Sequence, residues 1–502
     1  MRSEIKRAVA DNSYDYFEET LITENGFREY DVRWLLGHEI NPNGFILLGR
    51  AYGTYLREVV KEEKCVVGHD FRFYSQNLKN ALVIGLLSAG IDVVDVGMAL
   101  TPMVYFAQHL YGIRGGAMVT ASHNENGWTG IKIAKGLSST LGPDEIVHFK
   151  KIVESGEFAE GQGHYEMHDD LFGHYMDDLV KDGKLGRKLK VVLAAGNGTA
   201  GRFCPPILEA LGCEVVPVDC TPDWNFSRHN PNPEDLSFLE GIRDAALEHG
   251  ADVGLGIDGD GDRLGVVDDQ GREIFSDKLG LIVTRWMAPA NPGRKVVIDV
   301  KSTSLYELDP ILAEHGYETV MWKTGHSYIK AKVSEIDAIA GFEKSGHWFF
   351  SKPFGRGYDD GCVSMVHLCR MLDDLGVPLS RLVDDLPRTW QSPTIGPHCD
   401  DDKKYGVVDW VTKKYEEDMS AGRAIAGQKI TGIRTVNGVR FNLEDGTWGL
   451  VRASSNKPSL VLVVESPTSE DALYDVMEHI QNRLAETGKV GDYDQQLPER
   501  GK

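Results

Sequence analysis

A serine in a short polar segment is the first candidate for covalent chemistry in this chain. The segment 120–124 reads TASHN, so His123 follows Ser122 directly, and Lys132 lies ten residues after the serine. The apolar run 117–120 predicts a strand that delivers the serine to a loop. A serine hydroxyl is a weak nucleophile and needs a neighbouring base or metal ion. An isolated Ser-His pair is more typical of a polar loop that caps a helix, so this segment alone does not establish a function.

Three carboxylates at alternate positions form the second candidate. Asp258, Asp260 and Asp262 are separated by glycines and followed by Arg263, and the apolar runs 253–257 and 264–267 predict strands on both sides. The glycines permit a tight turn that brings the carboxylates onto one hard cation. A helix-loop-helix calcium loop does not fit, because Arg263 stands where that loop needs glycine. A solvated acidic turn is the remaining alternative, and the apolar flanks disfavour it.

Two more polar segments could recognise a phosphorylated sugar. The segment 341–347 reads GFEKSGH, in which Glu343 and Ser345 can form hydrogen bonds with neighbouring sugar hydroxyls and His347 follows closely. The segment 452–458 reads RASSNKP, and its guanidinium group, hydroxyls, amide and backbone N–H groups suit a phosphate. Each segment, taken alone, is equally typical of an ordinary polar turn.

The elements that must position these residues repeat along the chain. A strand-helix-strand pattern occurs over 65–96, 191–218 and 296–322, and its first helix has Ser75 as the expected N-cap. The pattern predicts parallel sheets covered by helices, in three similar α/β domains. Near the C-terminus, 449–453 and 459–465 are predicted strands around a turn, and 469–485 is a predicted amphipathic helix. This part is predicted to be a smaller α+β domain.

Composition limits the possible partners and the compartment. A chain of 502 residues is too long for one hydrophobic core, and its net charge of -22 argues against a nucleic-acid or anionic-membrane partner. Seven scattered cysteines form no disulfide framework, which suits a reducing cytosol. The sequence has neither a secretory apolar region nor an apolar run of membrane-spanning length. We therefore expect a cytoplasmic protein with no membrane partner.

Together the four polar segments, in this order, resemble those of the α-D-phosphohexomutase family, and most closely its bacterial phosphomannomutase/phosphoglucomutase branch. The likeness covers roughly 27–465. The segments 27–33, 68–72, 324–326 and 358–361, which read FREYDVR, GHDFR, TGH and YDDG, extend it. Departures from the family pattern occur at Trp34, His69, Glu125 and Lys344, and in the order Ser-Ser-Asn of the last segment. They remove no catalytic group.

The resemblance implies four domains around a central cleft, with an α/β fold overall. Three similar α/β domains with mixed sheets precede a smaller C-terminal α+β domain. We expect an N-terminal arm over 1–25 and a first domain with the phosphoserine loop over 26–165. The metal loop belongs to 166–275, the sugar loop to 276–385 and the phosphate loop to 386–502.

The resemblance also implies roles for individual residues. Ser122 is the phosphorylated serine, and together with Asp258, Asp260 and Asp262 it holds Mg²⁺. Arg263 neutralises the moving phosphoryl group, and Lys132, His123 and His347 are candidates for proton transfer. The residues implied to contact the substrate are Tyr30, Arg33, His326, Glu343, Ser345, Arg452, Ser454, Ser455 and Asn456.

The implied reaction moves phosphate between positions 1 and 6 of a hexose. Phosphorylated Ser122 donates its phosphoryl group to a hexose monophosphate, the bisphosphate reorients, and the other phosphate returns to the serine. The implied cofactors are Mg²⁺ and a hexose 1,6-bisphosphate, and the partners are small sugar phosphates. The oligomeric state is expected to be a monomer or small homo-oligomer. Alternatives are a phosphoglucosamine mutase, a non-catalytic sugar-phosphate binding protein and a metal-dependent phosphatase.

Overall fold

The structure is a computed structural model that describes residues 19–455 and 457–497. Its helices are α1 Pro42–Tyr55, α2 Ser75–Ser88, α3 Thr101–Tyr111, α4 Pro143–Ser155, α5 Leu171–Leu179, α6 Ala200–Leu211, α7 Leu236–His249, α8 Ser276–Met287, α9 Leu305–Leu308, α10 Pro310–Glu314, α11 His326–Glu335, α12 Gly361–Leu375, α13 Leu379–Asp384, α14 Lys404–Ser420 and α15 Glu470–Ala485. Within this part of the chain, no helix is both long and apolar enough to cross a bilayer.

The strands alternate with these helices over most of the chain. They are β1 Val32–Leu35, β2 Lys64–His69, β3 Asp92–Met98, β4 Gly115–Val119, β5 Trp128–Gly136, β6 Ser139–Thr140, β7 Tyr165–Met167, β8 Lys190–Ala194, β9 Glu214–Val218, β10 Val253–Ile257, β11 Leu264–Asp268, β12 Glu273–Ile274, β13 Lys295–Asp299, β14 Glu318–Trp322, β15 Ala340–Phe342, β16 Trp348–Phe350, β17 Trp390–Gln391, β18 Ala424–Ile425, β19 Gln428–Arg434, β20 Val439–Leu443, β21 Trp448–Ala453 and β22 Leu460–Ser466.

The first sheet carries the serine loop. Its strands lie in the order β1-β5-β4-β2-β3-β7, with β2 parallel to β3 and β4, and β5 antiparallel to β4. Leu78, Leu82 and Leu86 of α2 are buried in the same core as Val67 of β2, as their helical spacing predicts. The expected N-cap is wrong, because Ser75 is the first residue of α2 and its hydroxyl donates to Asp70 instead.

The second sheet carries the acidic loop. Its order is β12-β11-β10-β8-β9, in which β8 pairs in parallel with β9 and β10. The acidic loop connects β10 to β11, and these two strands are antiparallel and fully buried. Parallel pairs joined to an antiparallel edge make this a mixed sheet, and together with the C-terminal sheet described below this confirms the predicted fold class.

The chain divides into two compact units that do not follow the order of the sequence. The first consists of the described residues up to Ser276, with Val333–Gly341 and Ser345–Ser380. The second consists of Asp277–Lys332, Phe342–Lys344 and the described residues from Arg381 onward. Our boundaries for four domains stay a prediction, and most of the expected arm 1–25 lies outside the described residues.

The second unit combines a parallel strand pair with the C-terminal sheet. Strands β13 and β14 are parallel, whereas the C-terminal sheet has the order β17-β22-β21-β20-β19-β18 with antiparallel pairs throughout. Helix α15 begins after Ser469, whose side chain accepts the Ala472 N–H. This agrees with the predicted C-terminal helix and its flanking strands.

Buried polar contacts tie these two parts of the second unit together. Arg440 is 2% exposed, and its Nη1 donates to the carbonyls of Val300 and Ser302 at 2.8 and 2.7 Å. Its guanidinium group lies 3.5 Å from the centre of the Trp448 ring. Glu465 accepts hydrogen bonds from the Thr303 hydroxyl and the Trp448 indole, each at 2.8 Å. The loop after β13 and the C-terminal sheet therefore share one buried interface.

Candidate active site

Ser122 lies in the loop between β4 and β5 of the first unit. Its side chain is buried, with 1% of the residue exposed, and its backbone has a φ of 50°. Few residues other than glycine adopt this left-handed conformation, so its presence here marks a constrained turn. The Ser122 N–H donates to Thr120 Oγ1 at 2.9 Å. The predicted position of the serine, in a loop that follows a strand, agrees with the structure, but a strand follows the loop and no helix is capped.

The acidic loop folds back on its first carboxylate. Asp258 Oδ1 accepts the backbone N–H groups of Gly261, Asp262 and Arg263 at 2.9, 3.0 and 3.2 Å. Gly261 has a φ of 85°, a conformation that suits glycine and closes the turn. Asp258, Asp260 and Asp262 are all fully buried. Their convergence is the tight turn that the alternating glycines predict.

The serine and acidic loops meet directly. The Ser122 hydroxyl donates to Asp258 Oδ2 at 2.9 Å, and His123 Nδ1 lies 3.2 Å from the same hydroxyl oxygen. Gly259 makes the approach possible, because a Cβ at this position would lie 2.4 Å from the Ser122 carbonyl oxygen. Two segments more than a hundred residues apart in sequence therefore form one site.

The donor atoms of the acidic loop suit a hard metal ion. One carboxylate oxygen from each of Asp258, Asp260 and Asp262 lies within 4.8 Å of the others. Asp260 Oδ1 is buried and has no hydrogen-bond partner among the described residues. Burial, followed by the charges of Asp262 and Asp260, raises the pKa of Asp258 well above its ordinary range. A divalent cation would relieve this repulsion, so the three residues fit the predicted metal site.

Lys132 of β5 supplies a positive charge to this cluster. Its Nζ lies 2.8 Å from Asp260 Oδ2 and also donates to Asp262. Burial lowers the pKa of Lys132, but the charges of Asp260 and Asp262 outweigh burial and raise it overall. The ammonium group therefore keeps its proton in this arrangement. Lys132 is therefore a counter-charge to the acidic loop, a role that its position in the sequence did not indicate.

Arg263 and His347 approach the cluster from another side. Arg263 Nε donates to His347 Nε2 at 3.3 Å, and the same imidazole nitrogen lies 3.4 Å from Asp262 Oδ1. The Ser345 hydroxyl lies 3.3 Å from His347 Nδ1. The Leu264 N–H donates to the Gly346 carbonyl at 3.0 Å, which aligns the two segments. The structure thus brings Ser122, Lys132, Arg263 and His347 into one unit.

Two residues of this neighbourhood were missing from our candidates. Asp359 contributes to a second buried group with Asp262 and His347, in which the ligand atoms lie within 4.8 Å of one another. It belongs to the YDDG segment that was noted only as a family feature. The Thr101 hydroxyl donates to Asp260 Oδ2 at 2.6 Å, and no sequence signal pointed to this threonine.

Arg33 lies at the edge of the serine loop. Its Nη1 donates to Asn124 Oδ1 at 2.6 Å, and its Nε donates to Asp31 Oδ2 at 2.9 Å. Arg33 and Tyr30 are 8% and 6% exposed, respectively. The structure therefore places Arg33 against the loop that carries Ser122.

The second unit holds Glu343 and His326 together with the phosphate-loop candidates, whereas Ser345 of the sugar loop belongs to the first unit. Glu343 is buried, and its Oε1 accepts the Gly325 N–H at 2.8 Å, beside the start of α11 at His326. Arg452 lies on β21, and its Nη2 donates to Ser455 Oγ at 3.3 Å. Ser454 Oγ accepts the Lys457 N–H at 3.2 Å. Asn456 lies outside the described residues.

Comparisons with known proteins identify the family of this chain. The phosphoglucomutase/phosphomannomutase α/β/α domains I, II and III match residues 24–160, 173–271 and 275–390, and the C-terminal domain of the same family matches 408–483. A phosphomannomutase/phosphoglucomutase of Pseudomonas putida is 35% identical over 89% of this chain and 92% of its own length. A phosphoglucomutase of Neisseria gonorrhoeae is 35% identical over 92% of this chain and 96% of its own length.

A solved structure gives the same result. The crystal structure of a phosphoglucomutase/phosphomannomutase family protein from Burkholderia thailandensis has a TM-score of 0.83 and is 33% identical, covering 95% of this chain and all of that one. The chain belongs to the phosphoglucomutase/phosphomannomutase family. This confirms the predicted family, and it makes the protein an intramolecular phosphotransferase of the phosphohexomutase type.

Proposed function

We propose that this chain interconverts the 1-phosphates and 6-phosphates of glucose and mannose through phosphorylated Ser122. The observation that carries the proposal is the 2.9 Å contact between the Ser122 hydroxyl and Asp258 Oδ2, at the edge of three buried carboxylates. This contact supports the proposal, because it joins the proposed phosphoryl carrier to a carboxylate of the proposed metal site. The names of the most similar relatives, which include both sugars, support the substrate class.

The proposed metal is Mg²⁺, held by Asp258, Asp260 and Asp262 and completed by an oxygen on Ser122. When bound, Mg²⁺ supplies positive charge that neutralises the phosphoryl oxygens during transfer. Carboxylate oxygens are the ligands that this ion prefers. A hexose 1,6-bisphosphate is the proposed intermediate and activator, because phosphate must leave and return to the same serine.

The side chains around Ser122 are proposed to supply charge neutralisation and proton transfer. Arg263 neutralises charge on the phosphoryl group as it moves. His347 and His123 are proposed to accept or return the proton of the sugar hydroxyl, since imidazole is the side chain that most often transfers protons in catalysis. Lys132 is the third proposed group for proton transfer, and its contacts with Asp260 and Asp262 also balance the charge of the acidic loop.

Contacts with the rest of the substrate are proposed from the polar loops. Glu343 and Ser345 bind sugar hydroxyls, and Tyr30, Arg33 and His326 help to hold the substrate. Arg452, Ser454, Ser455 and Asn456 bind the phosphate that is not reacting. The phosphate loop then serves the sugar in both of its orientations, which the return of the second phosphate to Ser122 requires.

A coupled assay and intact-mass measurement test the proposal together. The wild type should convert glucose 1-phosphate and mannose 1-phosphate to their 6-phosphates and carry the mass of one phosphoryl group. Ser122→Ala should lose both properties while folding normally, and Ser88→Ala, at an exposed serine of α2, is the matched control. Faster turnover of glucosamine phosphate would favour the amino-sugar alternative. Release of free phosphate without isomer would indicate a phosphatase and refute the mutase function.

A further inference from the structure

The left-handed backbone of Ser122 requires a restraint from its surroundings. Non-glycine residues hold such a conformation only when neighbouring groups over-determine it. The N–H side of the turn is held by Thr120 Oγ1 at 2.9 Å. The carbonyl side is held by an arginine from the segment that follows β2.

Arg72 binds two carbonyl groups of the serine loop with one nitrogen. Its Nη2 donates to the carbonyl oxygens of Ser122 and Asn124 at 3.0 and 2.5 Å. These two carbonyls lie on either side of His123 in the sequence, so one guanidinium group restrains both ends of the turn. Arg72 is 3% exposed, and its other terminal nitrogen, Nη1, pairs with Asp70.

Asp70 in turn fixes the direction of the arginine. Asp70 Oδ1 accepts the Ser75 hydroxyl at 2.6 Å and the Arg72 N–H at 3.1 Å. The Asp70 N–H donates to the Val119 carbonyl at 3.0 Å, which continues the pairing of β2 with β4. Asp70 and Arg72 are therefore anchored to the two strands that lead into the site.

A contribution to stability does not by itself explain why Asp70 and Arg72 form a buried ion pair here. Desolvation of two charges offsets most of their attraction, so such a pair contributes little net stability. A planar guanidinium group does, however, present donors in fixed directions. We propose that Arg72 is a positioning residue for phosphoryl transfer, which holds the Ser122 backbone so that Oγ points at Asp258. The inference rests on the proposed mutase function.

The two halves of the reaction make this restraint useful. Ser122 Oγ must be the leaving group in one transfer and the acceptor in the other, and both need the same alignment with the acidic loop. Loss of Arg72 should therefore slow both transfers alike. Misplacement of a reacting group by about 1 Å can cost roughly a hundredfold in rate. The substrate contacts proposed above do not involve Arg72, so KM should change little.

The experiment compares Arg72→Ala, Arg72→Lys and a control, Arg187→Ala. Arg187 also binds a backbone carbonyl in a partly buried contact, since its Nη2 donates to the Leu372 carbonyl at 2.7 Å. Leu372 lies near the C-terminal end of α12, about 16 Å along the helix from its first residue, Gly361. Each variant is measured for kcat, KM and melting temperature. Intact mass follows the single-turnover transfer from phosphorylated enzyme to a sugar monophosphate. Arg72→Ala is also assayed with low guanidinium chloride and with the same concentration of urea as the uncharged analogue.

We expect Arg72→Ala to lose roughly tenfold to a hundredfold in kcat and in single-turnover rate, with KM nearly unchanged. Guanidinium, but not urea, should restore part of the rate. Arg72→Lys should also be slow, because an ammonium group lacks the planar, forked arrangement of donors. If Arg72→Ala does not fold, the comparison is made with Arg72→Lys. Wild-type kcat in either folded Arg72 variant would overturn the proposal, as would an equal loss in Arg187→Ala. An inactive wild type would instead refute the mutase function itself.

Discussion

Replacing Lys132 by methionine removes a positive charge from the acidic loop while nearly keeping the length of the side chain. In the native protein the ammonium group lies 2.8 Å from Asp260 Oδ2 and is also bonded to Asp262, and only 5% of Lys132 is exposed. Removing one partner of a buried ion pair typically costs about 3–5 kcal/mol, because the other charge stays buried. Lys132→Met should lose about this much stability in EDTA.

Saturating Mg²⁺ should restore much of that loss. A divalent ion among the three aspartates supplies the charge that the variant lacks, and a ligand at a hundred times its Kd stabilises the native state by about 2.7 kcal/mol. The variant starts with more unbalanced negative charge, so its gain from Mg²⁺ should exceed the gain of the wild type. The loss measured in Mg²⁺ should therefore be clearly smaller than the loss measured in EDTA.

Hydrogen exchange of the peptides that cover β10 and β11 measures this local stability. The matched control is Lys79→Met, since Lys79 is 2% exposed and pairs with Asp95, away from the acidic loop. The control, followed by hydrogen exchange of the peptides that cover β3, should lose equal stability in EDTA and in Mg²⁺. If Lys132→Met behaved in the same way as this control, the assignment of the metal site to the acidic loop would be refuted.

Three other predictions concern the metal and the substrate loops. Asp260→Asn should bind Mg²⁺ more weakly and transfer the phosphoryl group more slowly, because one anionic ligand becomes neutral. Calorimetry and turnover at graded Mg²⁺ concentrations measure both effects, and full activity of the wild type in EDTA would contradict the metal site. The raised pKa of Asp258 means that the metal-free native state keeps a proton that the unfolded chain releases. The stability of the metal-free protein should therefore fall as pH rises above the ordinary aspartate range, and its affinity for Mg²⁺ should rise over the same window. Calorimetric titrations with Mg²⁺ at several pH values should show proton release. An affinity that did not depend on pH would count against the raised pKa of Asp258. Arg452→Ala should lower catalytic efficiency on glucose and mannose 1-phosphates alike, by roughly tenfold to a hundredfold. Glu343→Ala should lower the efficiency on the two sugars by unequal factors. An effect of Arg452→Ala on one sugar alone would contradict the roles proposed for the two loops.

The sequence was most informative where the chemistry is local. The alternating aspartates and glycines of 258–262 predicted their own tight turn, because the backbone bonds to Asp258 Oδ1 join residues three to five positions apart. Strands β10 and β21 were likewise recognisable from short apolar runs. These features depend on neighbours in the chain, which a single sequence displays.

Contacts between distant segments could not be predicted in the same way. Nothing in the segment around Lys132 indicates that its ammonium group reaches Asp260, since the register of β4 and β5 and the approach of the second sheet decide this. Ser75 has the residue type of an N-cap, yet its hydroxyl donates to Asp70, a carboxylate that also pairs with Arg72. The division into two units also cuts across the sequence order, between Lys344 and Ser345.

The buried arginine of the second unit sets a rule for recombining this protein with its relatives. Arg440 donates to the carbonyl oxygens of Val300 and Ser302 and to the Ser304 hydroxyl, so the loop after β13 must keep its backbone path and a hydroxyl at position 304. The Val300 side chain is buried in a cluster with Trp448 and must stay apolar. Glu465 adds a further requirement, because it accepts from the Thr303 hydroxyl as well as from the Ser304 N–H. A chimaera joined near residue 385 should therefore tolerate a foreign C-terminal part that brings its own arginine and glutamate, provided that the host keeps hydroxyls at positions 303 and 304 and an apolar residue at position 300.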